Sequence, residues 1–270
     1  MCTSRPQISK PMEREIRRRC GFGCVMCGNP LYEYHHMKDW SMTHEHVTDD
    51  ITLLCNMHHT EATNNLVTKE MVEQANRMPH NLKKGVSTPY YLHFSGNDGT
   101  IIVGSLSFKT NLIANHFFSA VLVDMISLIG FQMENGFLLI QLALIDEHNV
   151  PVLTIRNNEL VYKMDNWDVQ FVKNSLIVRR GLGDIMLDIV FRVPDTINIR
   201  RGELHANGIR INIYPDKFRI RTRTSDTSFR NSGITAPFVG IIIGKHPPNL
   251  NGVFHIEALN RYDYNDKKTQ

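Results

Sequence analysis

The stretch "LLCNMHH", residues 53–59, sets a cysteine three residues before a histidine and then doubles the histidine. Upstream, "CVMC", residues 24–27, spaces two cysteines in the same way, and "YEYHHM", residues 32–37, doubles a histidine again. Cys24-x-x-Cys27 followed by Gly28 reads as a compact knuckle that aims two thiolates at one ion, and Cys55-x-x-His58 repeats the spacing with a mixed pair. Together they make a Cys3His set, a common closed tetrahedral zinc site. Buried free cysteines would leave the doubled spacing unexplained. The five cysteines, Cys2, Cys20, Cys24, Cys27 and Cys55, all precede residue 56. A disulfide framework would more often spread through the fold, so clustering with histidine points to metal. Cys20, four residues before Cys24, is read as a packing residue beside the knuckle.

A structural zinc occupies His58 and leaves His59, His35 and His36. At the start of a helix, neighbouring side chains diverge by about 100°. His58 can then face the zinc while His59 faces elsewhere, which separates a structural site from an adjacent reactive one. His44 and His46, in "SMTHEHVTDD", fall in the loop between the two halves of the motif and read as facing solvent or substrate rather than metal.

The order CxxC, HH, then "DDITLLCNMHH" resembles the HNH endonucleases, which carry a ββα-metal fold. The resemblance covers about residues 14–65 and says nothing of the chain after about residue 85. It implies that His36 is the general base, that His35 and His59 bind a catalytic divalent ion, and that Cys24, Cys27, Cys55 and His58 hold a structural zinc. Asp50 falls where the family often has asparagine, and an acid there suits orienting His36 or binding metal. Thr63 stands where some members place a further metal-binding histidine. The implied activity is metal-dependent hydrolysis of phosphodiester bonds in DNA, with RNA left open, using Zn2+ structurally and Mg2+ or another divalent ion catalytically. A neutral imidazole, with a reference pKa near 6.5, can take a proton from the attacking water at neutral pH. Restriction, phage-defence or mobile-element systems are the settings such a nuclease suggests, with partner proteins of such a system to match. A zinc-stabilised module that binds nucleic acid or a partner without catalysis is the second reading.

The 270-residue chain has a formal charge of only +3, so its total charge predicts no partner. Local charge is more informative. "EREIRRRC" puts Arg14, Arg17 and Arg18 about one turn apart, either as phosphate contacts or as a solvated helix face paired with Glu13 and Glu15. In "KFRIRTRT", residues 217–224, alternation places Arg219, Arg221 and Arg223 on one face, with Arg210 and Asn212 expected beside them on "GIRINIY". Such a stripe grips a sugar-phosphate backbone or guards a sheet edge.

Residues 1–85 hold every cysteine and seven of the thirteen histidines, with helices expected at "PMEREIRRRC" and at "TKEMVEQANRM" behind an N-capping Thr68. "NLKKGVSTP", residues 81–89, reads as a linker. From residue 86 onward short β-prone runs broken by Gly, Asn, Asp or Pro predict an all-β sandwich or barrel. The Asn-then-aliphatic texture of "IRNNELVY" and "VKNSLIVRR" suits a short β-helix less well, for want of a repeat period. Trp167 and "FFSAVLVDMISLIGF" read as core. The expected class is α+β: a zinc-stapled HNH domain, then a β domain. The polar interruptions in Ile126 to Ile145 argue against a membrane span, and the N-terminus lacks a secretory h-region, so the protein is expected in the cytoplasm.

Overall fold

The computed structural model describes residues 6–38, 40–95, 98–111, 116–161, 168–235, 238–246, 248, 250, 252–256 and 260–263. It is α+β, with most of the chain in β-sheet and few helices. Trp167 lies outside the described residues. The chain divides into two compact units: Met1–Tyr90 with Asn166–Phe171 and Arg179–Asp184, and the remainder.

The first unit opens with α1, Lys10–Arg19, whose first turn carries a proline and Glu13 and whose last turn carries Arg17, Arg18 and Arg19. That charge order complements the helix dipole. Strand β1, Glu33–His36, pairs antiparallel with β2, Ile51–Leu54, so that His35 lies opposite Thr52 and His36 opposite Ile51. Between them come α2, Trp40–Thr43, and a 3-10 turn, Thr48–Asp50. Helix α3, Asn56–Thr63, follows β2 at once. All four residues of β2 are buried, and Ile16, Cys20, Val25, Met37, Ile51, Leu53 and Leu54 form the core around it. Helix α4, Lys69–Arg77, is capped by the Thr68 side chain, which accepts from the amide of Met71.

Residues 81–89 are not a linker. Helix α5, His80–Lys84, ends at Gly85 in the left-handed region, and its Asn81 is buried. The Asn81 amide donates to the carbonyls of Gly21 and Gly28 and accepts from the amide of Thr88, while the Thr88 hydroxyl donates to the Cys27 carbonyl. Polar residues that suggest an exposed tether instead satisfy the backbone of a tight turn.

The three arginines of α1 part company. Arg17 is 4% exposed. Its Nε and Nη2 donate to the two oxygens of Asp168, both at 2.7 Å, and Nη1 donates to the Tyr34 hydroxyl at 2.7 Å. Arg179 adds a second guanidinium to Asp168 at 3.3 Å. Arg17 is therefore an internal ion-pair residue, and its assignment as a phosphate contact is corrected. The other reading, a solvated face paired with Glu13 and Glu15, fails for Arg17 in exposure, although Arg17 Nη1 does lie 3.6 Å from Glu13 Oε2. Arg14 donates to the carbonyl of Arg180, and Arg18 is exposed.

In the second unit one sheet runs Glu159–Val161, Pro151–Arg156, Phe137–Ile145, Ile126–Glu134, Phe117–Val123, Val239–Ile243, Gly252–Ile256. The apolar runs near residues 117–145 are thus core strands, and no helix among the described residues is long and apolar enough to cross a membrane. A second sheet contains an antiparallel meander of Asp184–Arg192, Thr196–Ala206, Ile209–Tyr214, Lys217–Arg221 and Asp226–Phe229. Asp124, hydrogen-bonded by both ends of the Arg261 guanidinium, by Asn207 and by the amide of Lys245, anchors the last described residues. Burial alone would raise the Asp124 pKa, but these donors outweigh it and hold it down at about 2.

Removing one partner of a buried pair leaves an uncompensated charge, at a cost of about 3–5 kcal/mol. Arg17→Met should therefore destabilise the chain by about that much in urea unfolding, whereas Arg17→Met with Asp168→Leu should recover most of the loss. Equal stability of Arg17→Met and parent would refute the internal role.

Candidate metal centre and histidine cluster

The knuckle forms because glycine permits it. The amide of Gly28 donates to the carbonyl of Cys24 at 2.7 Å, and Cys24 donates to the carbonyl of Asn29 at 2.9 Å. Gly28 has φ +78°, and a Cβ there would lie 2.1 Å from Asn81 Oδ1. The resulting turn aims Cys24 and Cys27 toward the start of α3, where Cys55 is the N-cap and His58 lies on the first turn.

The four ligand atoms of Cys24, Cys27, Cys55 and His58 all lie within 4.8 Å of one another. Tetrahedral zinc, with bonds near 2.3 Å to sulfur and 2.0–2.1 Å to nitrogen, requires edges of about 3.8 Å between sulfurs and about 3.5 Å from sulfur to nitrogen. Cys27 Sγ lies 3.7 Å from Cys55 Sγ, and His58 Nδ1 lies 3.4 Å from Cys24 Sγ and 3.2 Å from Cys55 Sγ. The cluster has the dimensions of a zinc site and can hold such an ion. His58 Nε2 points the other way, 3.9 Å from a Glu61 oxygen, a separation longer than a hydrogen bond. Without metal, a hydrogen bond from Cys27 favours the Cys24 thiolate, lowering its pKa to about 4, and the same bond holds the Cys27 proton on. Cys20 stays apart, fully buried, with its sulfur 3.7 Å from the Thr52 hydroxyl and its pKa raised by burial.

Strand alternation sends Glu33 and His35 to one face of β1, and Tyr34 and His36 to the other. On the first face the His35 ring meets the His59 ring edge-on, with centroids 5.1 Å apart and planes at 88°. Glu33 Oε2 is 3.8 Å from His59 Nδ1. Burial, then the proximity of His59 and Lys69, pushes the His35 pKa below the ordinary histidine range, so its imidazole stays neutral and ligating to lower pH. His35 and His59 are thus brought together. Asp50 is not part of this group. Its carboxylate pairs with Lys38 at 2.8 Å, and its carbonyl accepts from the amide of Met37. Its carboxylate is thus engaged by Lys38 in this structure rather than by the histidine pair. Glu33, two residues before His35, is the carboxylate beside the pair. A strand reading of "EYHH" carries that signal.

On the second face His36 Nε2 lies 3.1 Å from His46 Nδ1, and His46 Nε2 lies 2.7 Å from the Pro6 carbonyl. Trp40 packs against both rings, at 5.9 Å from His36 and 4.8 Å from His46. A carbonyl only accepts, so neutral His46 carries its proton on Nε2 and presents the Nδ1 lone pair to His36. His36 then carries its proton on Nε2, and its basic lone pair is on Nδ1. His46 is thus bonded to the reactive candidate rather than facing solvent, which no spacing within a loop would indicate. His44 is exposed.

The basic stripe forms with the expected alternation: Phe218, Ile220 and Thr222 are buried, and Arg219 and Arg221 lie on the opposite face. Arg210 faces Arg221 and Asn212 faces Arg219. Arg219 is neutralised, however, by a two-pronged pair with Asp226. Arg221 donates to Asn212 at 2.6 Å, and Arg223 is exposed.

Purified protein should contain one zinc per chain, because binding to a set formed only on folding adds directly to stability. Cys24→Ser should lose the zinc and expose the first unit to limited proteolysis, while Cys20→Ser should keep both metal and resistance. Metal analysis that finds zinc unaffected by Cys24→Ser, or lost with Cys20→Ser, would place the ligand set elsewhere. No family model matches the chain, and neither a curated protein nor a solved structure is significantly similar to it.

Proposed function

We propose that the chain is an HNH-type endonuclease that hydrolyses phosphodiester bonds in DNA with a divalent ion. The observation that carries this reading is the edge-on pairing of His35 and His59 between β1 and α3, beside Glu33. An antiparallel strand pair leading into a helix, with a zinc-type cluster where the helix begins, is the framework that the reading requires.

In this reading His35 and His59 hold the catalytic ion with help from Glu33, and His36 takes the proton from water at Nδ1. A bound divalent ion would stabilise charge on the phosphoryl and leaving oxygens. Two imidazoles and one carboxylate suit Mn2+ or another first-row ion better than Mg2+, which prefers oxygen ligands. His46 holds the His36 ring by its Nε2 proton and stabilises the imidazolium once Nδ1 is protonated. The fixed tautomer needs no rearrangement during proton transfer. Zinc at the cysteine cluster keeps α3, and hence His59, in place.

The second reading, a zinc-stabilised binding module without catalysis, draws support from Asp50, whose carboxylate is committed to Lys38. Single-turnover cleavage of duplex DNA against Mg2+ and Mn2+ concentration separates the two. His36→Ala should lower cleavage about 10²–10⁴-fold and not recover with more metal. His59→Ala should recover partly with added metal. His46→Ala should cost about 10–100-fold, as loss of an outer partner does. Because base and ligands act as neutral imidazoles, parent activity should fall as pH drops through the histidine range. No cleavage by the parent with any divalent ion, or undiminished cleavage by His36→Ala, would favour the binding module.

A further inference from the structure

We propose that the sheet face centred on Arg210 and Arg221 is a seat for the phosphates of a DNA backbone. This placement rests on the reading of the chain as acting on DNA. Arg210 and Arg221 are directly opposite one another on adjacent antiparallel strands, Ile209–Tyr214 and Lys217–Arg221. Like charges directly opposite one another repel, and a sheet normally answers them with an acid. Here the acid is spent. Asp226 lies opposite Arg221 in the register of the next strand, yet its carboxylate grips Arg219. Across the other side of Arg210 stands His205, whose Nε2 lies 3.1 Å from Glu203 Oε1.

Arg210 is left without a charged partner, and Arg221 feels Asp226 only through space, since that carboxylate is hydrogen-bonded to Arg219. Among the described residues the Arg210 side chain makes no hydrogen bond or ion pair. Arg221 has a neutral partner, Asn212, at one Nη. The Nε atoms of both are shut off from water without a hydrogen-bond partner, an arrangement that costs stability unless a ligand completes it. An oxyanion bridging the pair relieves the repulsion and accepts from both forks. The surroundings favour a polyanion over a small anion. The pair sits on a sheet face where Arg210, Arg221 and Lys217 are half-buried, and Lys217 continues the row along the strand at about 6.7 Å per same-face step. A chain of phosphates meets such a row repeatedly without any need to read sequence.

The test is binding of duplex DNA to the full-length His36→Ala protein without added divalent ion, followed by fluorescence anisotropy across a salt titration. Each phosphate contact contributes about one to the slope of log affinity against log salt. Replacing Arg210 and Arg221 together with glutamine should flatten that slope by about two. The double lysine variant, which keeps the charges, should restore it, and Arg156→Gln, the same charge loss on the other sheet, should leave it unchanged. Asp226→Asn should steepen the slope by about one, because it releases Arg219; this gain cannot come from misfolding. An unchanged slope in the double glutamine variant overturns the proposal. So does parent protein that binds inorganic phosphate through these arginines but not DNA. Cleavage is measured separately: DNA binding that depends on this pair in a parent that never cuts leaves the seat standing and removes the nuclease reading.

Discussion

Four atoms able to hold a metal ion converge from two chain segments within 4.8 Å, and the first unit is arranged around that meeting point. Cys24 and Cys27 come from a glycine turn, Cys55 and His58 from the N-terminal end of α3. Bringing them together fixes where the helix begins and which way its first turn faces. One residue further on, His59 is carried onto the exposed face of β1, against His35. The hydrophobic core around β2 supplies the packing, but packing alone is indifferent to small rotations of a short helix whose own residues are all at least partly exposed. Metal geometry is not indifferent, because bond directions at tetrahedral zinc are fixed.

Much of this was legible in the residues because it depends on local spacing. Two x-x separations, a capping threonine and a strict alternation of Phe218, Ile220 and Thr222 with arginines each carry their own structural consequence. Where expectation failed, the determining partner was remote in sequence. Nothing near Arg17 announces Asp168, 151 residues away. The apparent tether at 81–89 becomes a clamp because Asn81 meets two carbonyls about sixty residues upstream. Asp50 is singled out by its position in a motif, whereas its carboxylate pairs with Lys38, a residue outside that motif. Glu33 could have been found from period-two alternation. His46 could not, since loop geometry has no period.

The arginines carry a related lesson about charge. A basic run in sequence counts cations, whereas a partner senses only the charge that the fold leaves uncompensated. Of the arginines singled out from sequence, Arg17 is consumed by Asp168 and Arg219 by Asp226. Arg210, drawn in only as a neighbour of the stripe, ends with no answering group. Neutralisation inside the fold thus moves the electropositive centre by one strand.

The adjacency of His58 and His59 on one helical turn has a chemical consequence of its own. Thiols that hold zinc are also the groups that peroxide and disulfide-forming oxidants attack first once they are thiolates. Oxidation of Cys24 or Cys55 would release the first turn of α3 and with it the imidazole next in line. The histidines would then lose their alignment without having reacted, and a reductant supplied with zinc would bring them back. An oxidant acting on the cysteines would thus be felt at the histidines.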